Sequence, residues 1–225
     1  MTLRIEIRDL YRSFSKGNEV INVLKGINLI IESGETVAII GPSGSGKTTL
    51  LQNIGLLDSP SSGSISLNGE NTNTYNEDTR SLKRNEHFGF IYQFHHLIPE
   101  FTALENVMMP LLIRNKGLKD TREESRKLLE AIDMDHRVDH KPSELSGGEC
   151  QRVAIARALI TKPKFILADE PTGNLDPNAS KKIFEQFLKL RTNFGSGLIL
   201  VTHDKSMADQ MSVIYEIDGG ILVKK

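Results

Sequence analysis

Residues 41–48 read Gly-Pro-Ser-Gly-Ser-Gly-Lys-Thr, which matches the pattern G-x-x-x-x-G-K-[ST] over its full length. The continuous apolar run Val37–Ile40 precedes this segment, and a helical pattern over Lys47–Leu57 follows it. A strand, a glycine-rich loop and a helix in this order form the context that the pattern requires. The sequence therefore predicts a loop whose backbone wraps around phosphate oxygens.

The chemistry of this predicted loop points to a nucleoside triphosphate. Backbone N–H groups and the helix N-terminus attract phosphate oxygens. Lys47 is placed to reach the β- and γ-phosphates, and the Thr48 hydroxyl is placed to ligate Mg²⁺. The alternative is an ordinary Gly/Ser turn that enters a helix. The complete match and the correct flanking elements favour the phosphate loop.

Two further continuous apolar runs, Phe165–Ala168 and Leu198–Val201, are typical of strands buried on both faces. Such strands belong to a covered and mostly parallel sheet. A helical pattern over Asn178–Leu190 follows the first of these runs, as Lys47–Leu57 follows the strand before the phosphate loop. This alternation of strands and helices predicts an α/β fold.

The beginning of the chain has a different pattern, in which apolar and polar residues alternate. Alternation of this kind predicts half-buried strands, and the polar turn Lys16-Gly17-Asn18 separates two of them. We therefore expect an antiparallel layer, whose inward residues are Leu3, Ile5, Ile7, Ile27, Leu29 and Ile31.

Residues 95–160 are rich in helix signals and contain no comparable strand. Thr121 followed by Glu124 has the spacing of a capping box, which predicts that a helix begins there. Leu128, Leu129 and Ile132 then form an apolar stripe. We interpret this region as a helical subdomain inserted into the α/β core.

Composition limits the remaining possibilities. The chain has 225 residues, with 28 Lys and Arg against 29 Asp and Glu, a balance that argues against a primary role in nucleic-acid binding. Cys150 is the single cysteine, so neither an intramolecular disulfide nor a cysteine-based zinc site is available.

The first ten residues carry charges and predict no secretory segment, and no apolar run approaches the roughly 20 residues of a membrane helix. We expect the chain to begin folding in the cytosol.

Two adjacent carboxylates, Asp169 and Glu170, follow the apolar run Phe165–Ala168. A carboxylate at a strand end is able to hold Mg²⁺ through water. A second carboxylate beside it is able to orient and deprotonate the attacking water as a general base. The alternative is a polar strand end before Pro171, which explains either residue alone but not their occurrence together with a phosphate loop.

Residues 145–149, Leu-Ser-Gly-Gly-Glu, precede an Ala-, Ile- and Leu-rich helix that runs to about Ile160. Ser146 and Glu149 have the spacing of a capping box, which needs no ligand. The two consecutive glycines go beyond what capping requires and would let the helix N-terminus approach an anion. The spacing alone leaves cap and ligand site equally open.

Together these motifs resemble the ATP-binding cassette family, and the resemblance covers nearly the whole chain. The motifs occur in the order of that family: GPSGSGKT, Gln93, LSGGE, FILADE, Asn174-Leu175-Asp176 and His203. The resemblance implies a P-loop NTPase with a RecA-like core, an antiparallel β subdomain and an inserted α-helical subdomain. It also implies that two chains dimerise head to tail around two ATP molecules.

Several site residues follow from this resemblance. Gln93 would contact Mg²⁺ and the attacking water, and His203 would hydrogen-bond the γ-phosphate. Asp169 would hold Mg²⁺ together with Thr48 and Gln93, and Glu170 would be the base. Phe14 rather than Tyr11 would stack on adenine. The expected nucleotide-binding residues are Phe14, Gly41, Ser43, Gly44, Ser45, Gly46, Lys47, Thr48, Thr49, Ser146, Gly147 and Gly148.

In this family the signature segment, here Ser146–Gly148, would bind the γ-phosphate of ATP held by the partner chain. Asp176 would cap the following helix and contact the opposite subunit. Glu149 replaces the commoner Gln of the family, and Cys150 stands where relatives often carry a polar or basic residue. We have no functional account of Cys150.

The resemblance implies one domain over residues 1–225. Its core and antiparallel layer would comprise 1–93 and 161–225, and its helical subdomain would comprise 94–160 and end in the signature helix. Residues 89–107 are similar to cassettes of lipoprotein-releasing systems, with macrolide-export and cell-division cassettes as close alternatives.

The expected partners are a second copy of the chain in the ATP-bound state and integral membrane subunits of the LolC and LolE kind. The expected location is the cytoplasmic side of the bacterial inner membrane, with no nucleic acid bound and no direct contact with the transported substrate. Part of residues 94–113 would belong to the core, and the rest would form a groove that accepts a short cytoplasmic helix of a membrane subunit.

Two other classes compete with a transport ATPase. Soluble cassettes of DNA repair insert long coiled coils between the phosphate loop and the signature, for which the span between Lys47 and Ser146 leaves no room. Soluble cassettes of translation usually carry two cassettes, whereas this chain has one signature. A small P-loop kinase would leave the signature unexplained.

Overall fold

The computed structural model describes residues 2–17 and 19–225, so the predicted turn residue Asn18 lies outside the described residues. Helices and strands alternate along most of the chain. In chain order they are β1 (Arg4–Lys16), β2 (Glu19–Glu32), β3 (Thr36–Ile40), α1 (Lys47–Ile54), β4 (Ser62–Leu67), β5 (Glu70–Asn71), α2 (Glu77–His87), β6 (Phe88–Tyr92), α3 (Ala103–Ile113), α4 (Leu118–Glu130), α5 (Gly147–Leu159), β7 (Phe165–Asp169), α6 (Pro177–Phe194), β8 (Gly197–Val201), α7 (Lys205–Ala208), β9 (Val213–Asp218) and β10 (Ile221–Lys224).

The chain forms two compact units. The first contains the chain up to Arg84 together with Gly197–Lys225, and the second contains Asn85–Ser196. Every helix in the described residues is too short or too polar to cross a bilayer.

The first unit contains the expected antiparallel layer, with strand order β2-β1-β4-β5. Ile5 pairs with Ile31 and Ile7 with Leu29, so the alternating apolar residues of both strands lie on one face. These four side chains are at most 4% exposed, as a period of two predicts for a half-buried sheet. The prediction of an antiparallel layer is confirmed.

The first unit also contains the strands β10-β9-β3-β8 in that spatial order. Strand β3 runs parallel to both β8 and β9, and β10 runs antiparallel to β9. All five residues of β8 are buried, which explains why its sequence is continuously apolar rather than alternating. Strand β3 leads directly into the phosphate loop, so this parallel sheet fixes the position of that loop.

The second unit is built around the parallel pair β6 and β7 and the helices of its own segment. The rings of Phe88 and Phe165 stack with their centroids 6.2 Å apart, and Phe184 and Phe187 of α6 are almost fully buried. Burying a side chain of this size stabilises the fold by roughly 1.5–3 kcal/mol. This core holds the end of β7, where the two adjacent carboxylates follow.

Two helix predictions differ from the structure at their ends, and a third agrees. Helix α1 ends at Ile54 instead of Leu57, because Leu56 adopts a left-handed φ of 59°. The amide of Leu57 then donates to Gln52 O and that of Leu56 to Asn53 O, which closes a Schellman motif. Helix α6 begins at Pro177 and continues to Phe194, so it is longer at both ends than Asn178–Leu190. The signature helix α5 ends at Leu159, close to the expected end.

The capping-box prediction at Thr121 is wrong. Helix α4 begins at Leu118 after Gly117, and the amide of Thr121 already donates to Gly117 O inside the first turn. Thr121 is fully buried on the inner face of the helix, where it cannot act as a cap. The predicted apolar stripe is confirmed, because Leu128, Leu129 and Ile132 are at most 7% exposed.

Candidate nucleotide site

The phosphate loop lies between β3 and α1 in the first unit, as the sequence predicts. Gly41 and Gly46 have φ values of 154° and 106°, a backbone region that favours glycine. A Cβ atom at Gly41 would lie 2.2 Å from Ile217 O, and one at Gly46 would lie 3.1 Å from Val23 O. The loop therefore requires glycine at both positions for conformational and steric reasons.

Two buried polar groups belong to this loop. Lys47 is 9% exposed, and its Nζ donates to Gly41 O at 2.8 Å and to Pro42 O at 2.9 Å. The Oγ atom of Ser45 is buried and has no hydrogen-bond partner among the described residues. A buried ammonium and an orphaned buried hydroxyl, held beside a helix N-terminus, fit a polyanionic ligand such as a triphosphate. Thr48 is exposed and Thr49 half-buried in the first turn of α1.

Three other predicted site residues lie in the first unit. His203 is exposed and follows β8, and the preceding amide of Thr202 donates to Ile39 O at 3.3 Å. Phe14 and Tyr11 are 41% and 47% exposed, so both rings are accessible. The Arg12 guanidinium lies 4.5 Å from the Phe14 ring centroid and covers one face of that ring. The preference for Phe14 stays a prediction.

Asp169 and Glu170 lie in the second unit. Four buried residues of β7 lead to Asp169, which ends the strand and is half-buried. Glu170 has a φ of 46°, and its carbonyl accepts from the amide of Gly173 at 3.0 Å. A non-glycine residue in the left-handed region costs of order 1–3 kcal/mol, and such residues cluster at functional sites. The strained turn fixes the direction of the two carboxylates at the strand end.

Gln93 follows β6 and forms a reciprocal pair with Asn174. The Asn174 Nδ2 atom donates to Gln93 O at 2.9 Å, and Gln93 Nε2 donates to Asn174 Oδ1 at 3.2 Å. Because Nδ2 is already engaged, Asn174 presents its oxygen to the Gln93 side chain. The pair therefore uses the side-chain nitrogen and the backbone oxygen of Gln93 and not its side-chain Oε1 atom, which is the atom able to ligate a cation.

The signature segment forms the N-terminus of α5 as a complete capping box. Ser146 Oγ accepts from the amide of Glu149 at 3.3 Å, and Glu149 Oε2 accepts from the amide of Ser146 at 2.7 Å. A Cβ atom at Gly147 or Gly148 would meet Leu175 or Ile183 at 3.6 or 3.5 Å, which are ordinary contact distances. Packing inside this unit thus tolerates a Cβ atom at both positions, so the contacts of the chain itself do not require glycine there.

Two neighbours of these motifs have structural roles. Asp176 caps α6, because its Oδ1 atom accepts from the amides of Asn178 and Ala179 at 3.1 and 3.0 Å. Cys150 is 9% exposed, and burial followed by the nearby charge of Glu149 raises the pKa of its thiol. A buried neutral thiol is typical of a packing residue.

The candidate residues occupy both units, with the phosphate loop, Phe14 and His203 in the first and the others in the second. Two contacts are not predictable from the sequence: the pairing of Asn174 with Gln93, and the ion pair of Arg137 with Glu149 of the signature helix. Their partners are distant in sequence, so no local pattern indicates them. Within residues 2–17 and 19–225, no group of three or more His, Cys, Asp or Glu is arranged to hold a metal ion.

The parallel sheet, the phosphate loop, the paired carboxylates at a second strand end and the capped LSGGE helix define a P-loop NTPase of the cassette type. A protein-family model described as ABC transporter matches residues 24–173. The chain belongs to the ABC transporter family, and it is an ATPase of that family. The family, the fold class and the ATPase activity predicted from the sequence are confirmed.

Curated relatives match over nearly the full length. Proteins described as lipoprotein-releasing system ATP-binding protein LolD are 50% identical in Legionella pneumophila (strain Lens) and 50% identical in Pseudomonas syringae pv. tomato. The alignments cover 95% and 98% of this chain and 94% and 97% of those proteins.

The fold matches solved structures equally well. Two structures of the ATP-binding cassette MJ0796 superpose with a TM-score of 0.91 at 38% identity and cover 98% of this chain and 97% of theirs. One is described as a dimeric post-hydrolysis state bound to ADP and Pi, and the other as a dimeric ABC transporter cassette.

Proposed function

We propose that this chain is the ATP-hydrolysing subunit of a membrane transporter that releases lipoproteins from the bacterial inner membrane. The observation that carries the proposal is the 50% identity to LolD proteins over 95% or more of the chain. In this proposal the chain works at the cytoplasmic side of the membrane as a peripheral subunit. Membrane subunits of the LolC and LolE kind contact the lipoprotein.

In the first step, the phosphate loop holds ATP. The loop amides surround the phosphate oxygens, Lys47 turns from the loop carbonyls to the β- and γ-phosphates, and Ser45 supplies its hydroxyl. Phe14 stacks on the adenine. The loop backbone is already in place before ATP binds, whereas the Lys47 ammonium exchanges its hydrogen bonds to Gly41 O and Pro42 O for bonds to the phosphates.

Mg²⁺ is the metal that this family implies, and the donor set fits it. The Thr48 hydroxyl, the Asp169 carboxylate and the Gln93 amide oxygen are hard oxygen donors, which Mg²⁺ prefers. We propose that these three residues hold the ion, directly or through water. When bound, Mg²⁺ neutralises charge on the phosphate oxygens and favours attack at the γ-phosphorus.

Hydrolysis then requires a base and an oriented water. We propose that Glu170 accepts a proton from the water as it attacks the γ-phosphate in line, and that Gln93 orients that water. His203 donates a hydrogen bond to the γ-phosphate. The γ-phosphate also contacts Ser146, Gly147 and Gly148 of a second copy of the chain, so two ATP molecules close a homodimer and their hydrolysis reopens it.

The helical subdomain, residues 94–160 in this proposal, transmits the state of the nucleotide to the membrane subunits. Residues 94–113 contain both core and surface: Met108 and Leu111 are buried, whereas the Phe94 ring is 68% exposed. Arg157 Nη2 donates to His95 O at 2.7 Å and anchors the loop that carries Phe94. An exposed aromatic on an anchored loop suits contact with a short cytoplasmic helix of a membrane subunit.

The proposal is tested by co-purification from detergent-solubilised membranes, followed by reconstitution of the purified complex with a lipoprotein in vesicles. We expect integral membrane subunits to co-purify and ATP to release the lipoprotein to a soluble acceptor. A complex with Lys47→Ala is the control, which should assemble without release. Export of a macrolide without lipoprotein release would favour the macrolide-export alternative, and recovery of no membrane subunit would favour a non-transport ATPase.

A prediction concerns the Gln93–Asn174 pair. We expect Asn174→Ala to raise the Mg²⁺ concentration for half-maximal ATPase activity by about two- to tenfold, because hydrogen bonds worth about 0.5–1.5 kcal/mol each no longer orient Gln93. Mg²⁺ titration of nucleotide binding with a fluorescent ATP analogue should shift in the same direction. Asn178→Ala, which removes an exposed amide from the first turn of α6, is the matched control. Equal Mg²⁺ requirements in both variants would contradict the prediction.

A further inference from the structure

Glu149 places a carboxylate in the first turn of the signature helix, and both of its oxygens are used. Oε2 accepts from the amide of Ser146 at 2.7 Å, and Oε1 accepts from Arg137 Nε at 3.0 Å. The backbone and hydroxyl hydrogen bonds of Ser146, followed by the charge and hydrogen bond of Arg137, hold the pKa of Glu149 below its ordinary value. Glu149 is therefore ionised at neutral pH.

An ionised carboxylate at this place conflicts with anion binding. The N-terminus of a helix attracts anions through its free amides and its positive dipole end. A negative side chain in the first turn satisfies the same positive end and repels an approaching phosphate. The commoner Gln of the family would keep the hydrogen bond to Ser146 without this charge.

Arg137 is the cation that faces Glu149. It ends the 3₁₀ turn Asp135–Arg137, and its Nη1 atom lies 3.1 Å from His140 Nε2, which is able to accept a hydrogen bond in the neutral ring. The side chains of the ion pair are 37% and 23% exposed, so solvent screens it only in part.

The segment that carries Arg137 is fixed to the beginning of α3. The amide of Ala103 donates to His140 O at 2.8 Å, and the amide of Leu104 donates to Val138 O at 3.0 Å. Two backbone hydrogen bonds thus fix the segment that carries Arg137, and the guanidinium itself is held by its contacts with Glu149 and His140.

We propose that Arg137 is a positioning residue for ATP hydrolysis, which neutralises Glu149 so that the signature helix keeps its attraction for the γ-phosphate of ATP. The proposal rests on the proposed function, in which Ser146–Gly148 meet ATP held by a second copy of the chain. Arg137 touches neither substrate nor metal and acts only through Glu149. With Arg137 beside it, a signature segment with Glu149 has the same net charge near the phosphate as one with Gln.

The test measures the ATP concentration for half-maximal dimerisation, by light scattering, in a Glu170→Gln background that retains ATP. We expect Arg137→Met to raise this concentration about five- to tenfold, because an unbalanced charge enters both composite sites of the dimer. Glu149→Gln should stay within about twofold of the parent. The double variant Arg137→Met/Glu149→Gln should return to the level of Glu149→Gln, since no charge remains to be neutralised.

Controls separate this role from a contribution to folding. Arg137→Lys keeps the charge and should stay near the parent, whereas Lys116→Met breaks a 2.7 Å ion pair with Glu124 elsewhere in the same unit and should change nothing. If the double variant is as defective as Arg137→Met, Arg137 only supports the fold and the inference is wrong.

Ser146→Arg tests the underlying function separately, because it fills the helix N-terminus. Loss of dimerisation in that variant supports the use of the signature by ATP, whatever the behaviour of Arg137. Unchanged dimerisation would overturn the role proposed for the signature and, with it, this inference.

Discussion

We expect Glu170→Gln to lower the rate of ATP hydrolysis by about 10²–10⁴-fold while ATP binding remains, because an amide in place of the proposed base cannot accept a proton from the attacking water. The strained backbone at Glu170, with its φ of 46°, is retained in this nearly isosteric variant. ATP should therefore accumulate on the protein and hold two chains together. Phosphate release and light scattering with ATP and Mg²⁺ measure the two effects.

Glu185→Gln is the matched control for this prediction, because it makes the same change at an exposed position of α6 in the same unit. We expect its turnover and its oligomeric state to equal those of the wild type. A Glu170→Gln protein that hydrolyses ATP at the wild-type rate would show that another group is the base.

We expect Lys47→Ala to weaken ATP binding by about 10²–10⁴-fold, because charge-assisted hydrogen bonds contribute about 1.5–3 kcal/mol each and Lys47 is proposed to make two to the phosphates. The substitution also removes the donor that now serves Gly41 O and Pro42 O. Titration with a fluorescent ATP analogue measures the affinity. The rise in melting temperature that ATP gives to the wild type should disappear.

Lys205→Ala removes an exposed positive charge from α7 of the same unit and should leave ATP affinity unchanged. Equal affinities for the wild type and Lys47→Ala would contradict the role of this ammonium in phosphate binding.

Elements with a strong pattern could be predicted from the sequence. The period of two between Ile5 and Ile7 fixed one face of β1, and the continuous run Leu198–Val201 indicated a strand buried on both faces. The phosphate loop was also predictable, because its glycines satisfy local backbone and steric needs at Gly41 and Gly46. In each case the pattern that indicates the structure lies within a few residues, although the contacts at Gly41 and Gly46 come from Ile217 and Val23.

The sequence patterns gave wrong helix ends where tertiary packing determines the local structure. Thr121 and Glu124 have capping spacing, but burial of Thr121 against the core of the second unit made the helix begin earlier, at Leu118. Helix α1 ends early, before Leu56, which has a left-handed φ of 59° and is only 2% exposed. Helix propensities describe single residues and their neighbours, so they do not predict where burial of a side chain ends a helix.

The supporting contacts of the site were not predictable for the same reason. Asn174 meets Gln93 across 81 positions, and Arg137 meets Glu149 only because backbone hydrogen bonds fix its segment to α3. Such contacts depend on how distant elements pack. The sequence motifs indicated the candidate binding and catalytic residues. The residues that orient them could be identified only from the folded structure.

The tolerance of this unit for a Cβ atom at Gly147 and Gly148 has a consequence in the cell. We expect a chain with alanine at either position to fold, escape proteolytic quality control and accumulate normally. It would still compete with normal copies for the membrane subunits and form mixed assemblies with one damaged nucleotide site. Mutations at these glycines would therefore be dominant, whereas mutations that unfold the chain would be recessive.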